Sequence, residues 1–279
     1  MSGIEQTGRR GRTIVPIRAT DDQETIGTSR YNVPALEKGL DVCELLAREP
    51  AGLSVTEMSQ RLGRSTGELY RLIQYLDWRG YLERDPDSDR YTLSMRMFRL
   101  SHEHPPVRSL TACAVPLMER LAVEIGQSCH LGVLDRASVV IVAQVDSPLP
   151  IRYSVRLGAQ FPVWETSTGL LIAAHLEEGR RESLVELLER LVDPAELDVF
   201  VAKLDGVAAA GYEQRPSELI PGILNISRPI FDLNGQIAAA LTVPFMELRM
   251  MQVGLEDVTA ALARAAASIS DALGYNADR

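Results

Sequence analysis

Apolar residues recur along this chain first at helical spacing and then at alternating spacing, and the order of those changes predicts the architecture. From Pro34 the segment PALEKGLDVCELLARE places Leu36, Leu40, Cys43 and Ala47 on one helix face, with Val42, Leu45 and Leu46 widening the stripe. Pro50-Ala51-Gly52 stops that helix. In GLSVTEMSQRLGRSTGELYRLIQYL, residues 52–76, a serine twice stands three residues ahead of a glutamate: Ser54 before Glu57, and Ser65 before Glu68. Each pair is a capping box that satisfies two orphaned N–H groups at a helix start. Two short helices so fixed, with Gly63 in the turn between them, predict a helix-turn-helix whose second helix runs from about Thr66 to Leu76. Tyr81–Arg84 and Arg90–Leu93 then flank the polar turn DPDSD, which predicts a β-hairpin wing with Arg90 near its tip.

After two prolines in SHEHPPVRSL, helices and strands alternate. A helix is expected from Pro116 to Ile125, closed by Gly126. SCHLGVLDRASVVIVAQV reads as an antiparallel pair turning at Asp135-Arg136-Ala137. Helices are expected from about Thr166 to His175, over Glu182 to Leu191, and from an Asp193 N-cap with Pro194 in its first turn to Gly211. ISRPIFDLNGQIAAALTV is a hairpin signal in which Asn234-Gly235 suits a type I′ turn. An Ala-rich helix ending at Gly274 closes the chain.

This order divides the 279 residues into a disordered tail over 1–31, a winged helix-turn-helix over 32–95, a linker over 96–110 that belongs to a helix starting near Ser94, and a second domain over 111–279. In the tail, Arg9, Arg10 and Arg12 could alternatively form a basic arm for DNA phosphates. The composition, 46% hydrophobic and 24% charged, is that of a soluble protein with sizeable cores. Without an apolar leader or membrane-length segment the chain is expected in the cytoplasm. The net charge of −9 changes little about the first domain: residues 1–100 hold 15 basic and 15 acidic side chains, so the acidic excess lies beyond them. An acidic chain can still bind DNA through one face of one domain. Cys43, Cys113 and Cys129 are odd in number and widely spaced, which indicates neither a disulfide framework nor a zinc site.

Within the second helix Leu69, Leu72, Ile73 and Leu76 face inward, while Tyr70, Arg71 and Gln74 share the opposite side. That set suits phosphate and base-edge contacts in a major groove of double-stranded DNA, with Arg64, Ser65 and Thr66 at the helix start and Arg90 on the wing. An enzyme fused to a DNA-binding module is the competing class. No G-x-S-x-G, H-E-x-x-H, Walker loop or dinucleotide fingerprint is present to support it. Cys129 and His130 adjoin on a strand and so point to opposite faces, which rules them out as a nucleophile–base pair. His130 is expected as a hydrogen-bonded strand residue rather than a ligand.

ALEKGLDVCELLA, GLSVTEMSQRLG, LYRLIQYLDWRGYLERD, RYTLSMRMFRLS, RLGAQFPVWETSTGLLIAA and GYEQRPSELIPGILNISRPIFDLNGQIAAALTV together resemble the isocitrate-lyase-regulator (IclR) family of bacterial transcription factors, over nearly the whole chain from residue 33. The resemblance implies an α+β chain with a winged helix-turn-helix, a linker helix, and an effector domain whose curved antiparallel sheet is flanked by helices. It also implies no catalytic activity and no cofactor, assembly as a dimer or dimer of dimers, and regulation by a small effector, most often as a repressor of a catabolic operon. By the family pattern Ser167, Thr168 and Gly169 would sit at a helix N-terminus beside Asn225, Ser227 and Thr242 from the sheet, a set suited to a carboxylate. Tyr153 and Phe161 would add apolar walls fitting an aromatic acid, and Arg215 a charge. The chain departs from the pattern at Gly67 and Glu68, where a Ser-Thr pair is usual, and at Leu170, where lysine is usual. Glu68 is either the capping partner of Ser65 or an acceptor for a cytosine amine.

Overall fold

The computed structural model describes residues 33–103, 105–217, 220–247 and 253–276. The predicted N-terminal tail, with Arg9, Arg10 and Arg12, lies outside the described residues. The first helices are α1 (Pro34–Ala47), α2 (Val55–Leu62) and α3 (Thr66–Trp78). Both capping boxes form. Glu57 N–H donates to Ser54 Oγ and Ser54 N–H to the Glu57 carboxylate, and Glu68 and Ser65 repeat the arrangement. Gly63, with φ of 62°, supplies the left-handed residue that ends α2 so abruptly. The wing is the antiparallel pair β1 (Leu82–Arg84) and β2 (Tyr91–Leu93). Val42, Leu46, Leu53, Met58, Leu69, Ile73, Leu82 and Tyr91 make one core beneath these elements.

Helix α1 is rotated from its expected setting. Val42, Cys43 and Leu46 are buried, whereas Leu36 and Leu40 are 60% and 50% exposed. The apolar stripe is wider than one face can bury, and Gly39 lets α1 sit against Leu72 of α3, 3.8 Å from where its Cβ would lie.

The expected interruption near residue 105 is also corrected. Helix α4 (Met95–Glu103) is followed by α5 (Pro105–Ile125), which starts at the prolines and carries Pro116 inside it. A first-turn proline lacks only an N–H that would have no intrahelical partner, so Pro105 begins a helix as readily as it would break one.

The remaining elements are β3 (Cys129–Asp135), β4 (Ser138–Val145), β5 (Gln160–Pro162), α6 (Ser167–Ala174), α7 (Glu178–Leu188), α8 (Pro194–Ala210), β6 (Glu213–Pro216), β7 (Ile223–Phe231), β8 (Ile237–Met246) and α9 (Leu255–Ala272). Six strands form one antiparallel sheet in the order β5-β4-β3-β8-β7-β6. One face buries Leu131, Ile226, Leu241 and Val243 against Met118 of α5 and Val258 and Leu262 of α9. The other buries Val139, Ile141 and Ala240 beneath α6 and α8. A bulge decides which β4 residues face which way: Leu131 pairs with Ala143 but Gly132 with Ile141, so the extra residue Val142 puts Ile141 under α6 and Ala143 over α5. The β7–β8 hairpin exists as expected, but not with a type I′ turn. Among the turn residues Gly235 alone has positive φ, and the Asp232 carboxylate accepts from the N–H groups of Asn234 and Gln236. The side chain of Asp232 thus builds the turn that Asn234 was expected to build.

Candidate functional site

Two surfaces concentrate the predicted chemistry. On the solvent side of α3, Thr66 and Arg71 are exposed, and Tyr70 is 54% exposed. Arg71 makes no hydrogen bond or ion pair with another described residue, which leaves its five donors for a partner outside the chain.

The other residues of that set are engaged within the fold. The Gln74 amide donates to the Tyr91 hydroxyl at 3.1 Å, tying α3 to the wing. Arg64 lies 2.9 Å from Asp41 and 3.7 Å from Glu37 of α1. Ser65 Oγ is occupied as the cap. Arg90 folds back onto the Gly52 carbonyl and Glu57 instead of reaching the wing tip, because the buried Tyr91 beside it anchors the strand against Leu53. What the tip exposes is Asp85, Asp87 and Asp89, so the wing offers phosphates no cation there. Glu68 has the structural role: it bonds Lys38 Nζ at 2.7 Å and the Ser65 N–H, and these hold its carboxyl down at about 2.

The second surface is a cavity between α6 and the sheet, with an empty volume of about 550 Å³ including its mouth. Helix α6 reaches the sheet closely for two local reasons. At Gly132 a Cβ would lie 2.7 Å from Thr168 Cγ2, and at Gly169 one would lie 2.1 Å from the Val163 carbonyl oxygen. No larger residue permits this approach. Thr166 caps the helix by accepting from the Gly169 N–H at 2.9 Å. A chain of hydroxyls then ties α6 to β7 and β8: Ser167 to Ser227 (3.1 Å), Ser227 to Thr242 (2.7 Å) and Thr242 to Thr168 (2.8 Å). Four hydroxyl protons serve three bonds, so the chain keeps one proton to donate elsewhere.

Of the sequence-predicted residues Tyr153, Phe161, Ser167, Thr168, Arg215, Asn225 and Thr242 line the cavity. Gly169 and Ser227 do not. Gly169 is a packing residue whose N–H is spent on the cap, and Ser227 lies fully buried behind Ser167 and Thr242. Arg215 pairs in register with Asn225 and sits 3.8 Å from Glu213, and its Nη2 is buried with no partner among the described residues. Burial pushes the Glu213 carboxyl up from its ordinary value, an effect that Arg215 and Lys203 oppose.

His130 was missed. It lines the cavity from β3, and its Nδ1 is buried without a partner. Burial pushes its imidazole down to about 4, so it is neutral near pH 7. The signal was present in SCHLGVLD: His130 and Gly132 share a strand face, and a glycine there marks where another element comes close. Ser217 and Glu165, at the cavity's edge, were missed as well.

A helix-turn-helix with a free arginine on its second helix, joined to a domain with a polar-lined cavity, defines a DNA-binding transcription regulator. Comparison with known proteins bears this out. The IclR helix-turn-helix domain matches residues 35–86 and the bacterial transcriptional regulator IclR C-terminal domain matches residues 106–271. The chain belongs to the IclR family. It is 28% identical to the HTH-type transcriptional regulator KdgR of Escherichia coli over 88% of this chain and 94% of that one. It is 30% identical to BhcR of Paracoccus denitrificans over 85% of this chain and 86% of that one. The same fold occurs in an IclR homologue from Microbacterium hydrocarbonoxydans solved with 4-hydroxybenzoate (TM-score 0.70, 22% identity, 86% of this chain and 98% of that one). These relatives are transcription regulators, not enzymes. Among the described residues no helix is long and apolar enough to cross a membrane.

Proposed function

We propose that α3 reads operator DNA through Arg71, Tyr70 and Thr66, and that a small organic acid in the cavity beneath α6 controls that binding in the repressor mode. The observation that carries the ligand half is the buried, unpartnered Nη2 of Arg215 in a cavity that hydroxyls and Asn225 also line. An unpaired buried donor on a cation is costly, and a carboxylate is the group that matches a guanidinium. The 4-hydroxybenzoate complex of the Microbacterium homologue supports an acid of this size. For the DNA half we infer a symmetric dimer or dimer of dimers, since one α3 reads only a half-site.

The experiment is selection of duplexes from a random library by the full chain, followed by footprinting and gel-shift titration. A pseudo-palindrome is expected. Arg71→Ala should weaken its binding by ~1–3 kcal/mol with the melting temperature unchanged. Gln74→Ala serves as the contrast: losing the bond to Tyr91 should lower fold stability by ~1 kcal/mol and affect DNA less. Wild-type affinity in Arg71→Ala, or a single asymmetric short footprint, contradicts the reading.

A further inference from the structure

The cavity has a second polar end that the carboxylate reading leaves unused. His130 on β3 pairs in register with Thr242 on β8, Thr242 with Ser227 on β7, and Ser227 with Glu213 on β6. That single rung crosses four strands, and Arg215 stands two residues along from its far end. Adjacent strands lie ~4.8 Å apart, so the backbones carrying His130 and Arg215 are separated by roughly 14 Å across the sheet. Between them the floor is Thr242 with the bound hydroxyls, and the walls are Val139, Ile141, Val155, Tyr153 and Phe161. The cavity is therefore polar at both ends and apolar in the middle.

The two ends ask for different groups. At one end is a permanent cation with an unpartnered donor. At the other is an imidazole with an unpartnered Nδ1, neutral and so able to accept one hydrogen bond and donate one. Beside it Thr242 holds the hydroxyl chain in place, so a ligand atom at this end meets a fixed set of partners. A second carboxylate would be buried there with no cation opposite it, which is strongly disfavoured. A methyl group would leave Nδ1 as unsatisfied as it is without ligand. A hydroxyl satisfies it.

We propose that the effector is a monocarboxylic acid carrying a hydroxyl at the end remote from its carboxylate, and that His130 is the residue that selects for that hydroxyl. This rests on the reading that Arg215 holds the acid. A site built around a buried hydrogen-bonding group discriminates against an analogue that lacks the matching group, because the site's own group is then left unpaired.

The test is titration calorimetry of the full chain with two isosteric pairs, 4-hydroxybenzoate with 4-methylbenzoate and 6-hydroxyhexanoate with heptanoate. In the pair that fits the cavity, the hydroxy acid should bind wild type about tenfold or more tighter than its methyl partner. His130→Phe should abolish that preference while still binding the methyl acid. His130→Asn, which keeps an amide near the place of Nδ1, should retain part of it and covers the case in which the phenylalanine variant does not fold. Equal affinity of wild type for both members of each pair overturns the proposal and leaves the Arg215 site standing, and so does a preference that persists in His130→Phe. Failure of all four acids to bind overturns the carboxylate reading together with it.

Discussion

Gly169→Ala is expected to disable the cavity although Gly169 touches no part of it. The added Cβ would lie 2.1 Å from the Val163 carbonyl oxygen, 2.7 Å from its carbonyl carbon and 2.8 Å from Thr166 Oγ1. Neither neighbour can easily give way. Val163 is pinned by its N–H to the Ala137 carbonyl at 2.9 Å, and Thr166 Oγ1 is the cap of the very helix that would have to move. The start of α6 must lift from the sheet, which stretches the bonds from Ser167 to Ser227 and from Thr168 to Thr242. Overpacking of this kind costs roughly 3 kcal/mol or more where backbone is the obstacle, which corresponds to a melting temperature lower by ~6–12 °C in a domain of this size. Circular-dichroism melting measures it. A variant that melts with wild type would mean that α6 seats on the sheet differently from the arrangement described.

Arg215→Met is expected to weaken binding of a carboxylic acid by ten- to a hundredfold or more while leaving affinity for DNA in the absence of acid unchanged. Methionine keeps most of the apolar stem and removes the charge. A hydrogen bond to a charged group contributes ~1.5–3 kcal/mol, and each 1.4 kcal/mol is about a factor of ten in affinity. The substitution also leaves Glu213 without its nearest cation. Its carboxyl, already pushed up by burial, should rise further and the fold should lose some stability near neutral pH, where that carboxylate would be charged. The double variant Arg215→Met/Glu213→Gln should recover the stability and not the acid binding. Calorimetry and thermal melting on the two variants separate these effects. Acid binding at wild-type strength in Arg215→Met would place the anion elsewhere.

What the sequence made legible was whatever rests on neighbours within about one helical turn. Ser54 with Glu57 and Ser65 with Glu68 marked two helix starts to the residue, and Asp193-Pro194 marked a third. Less was visible where a residue's role depends on a partner far along the chain. Arg90 reads as a wing-tip cation until Gly52 and Glu57 are brought beside it, and Gln74 reads as a DNA contact until Tyr91 is. The alternation in SVVIVAQV hides the bulge at Val142 that puts Ile141 and Ala143 on opposite faces. His130 carries no local sign of its missing partner, because whether the strand leaves Nδ1 paired is settled by β8 and α6 packing around it. Helix α1 shows the converse limit: its apolar stripe is real, yet hydropathy alone does not say which part of a wide stripe is covered.

The central claim is that an acid in the cavity under α6 controls the hold of α3 on DNA. The measurement that tests it most directly is fluorescence anisotropy of the selected operator duplex with the full chain, with and without 4-hydroxybenzoate at a concentration shown by calorimetry to saturate the protein. Wild type should release the duplex with an affinity lowered about tenfold, a coupling of ~1.4 kcal/mol, and Arg215→Met should bind the duplex equally well with and without the acid. An operator affinity that stays the same while the acid is demonstrably bound would contradict the account.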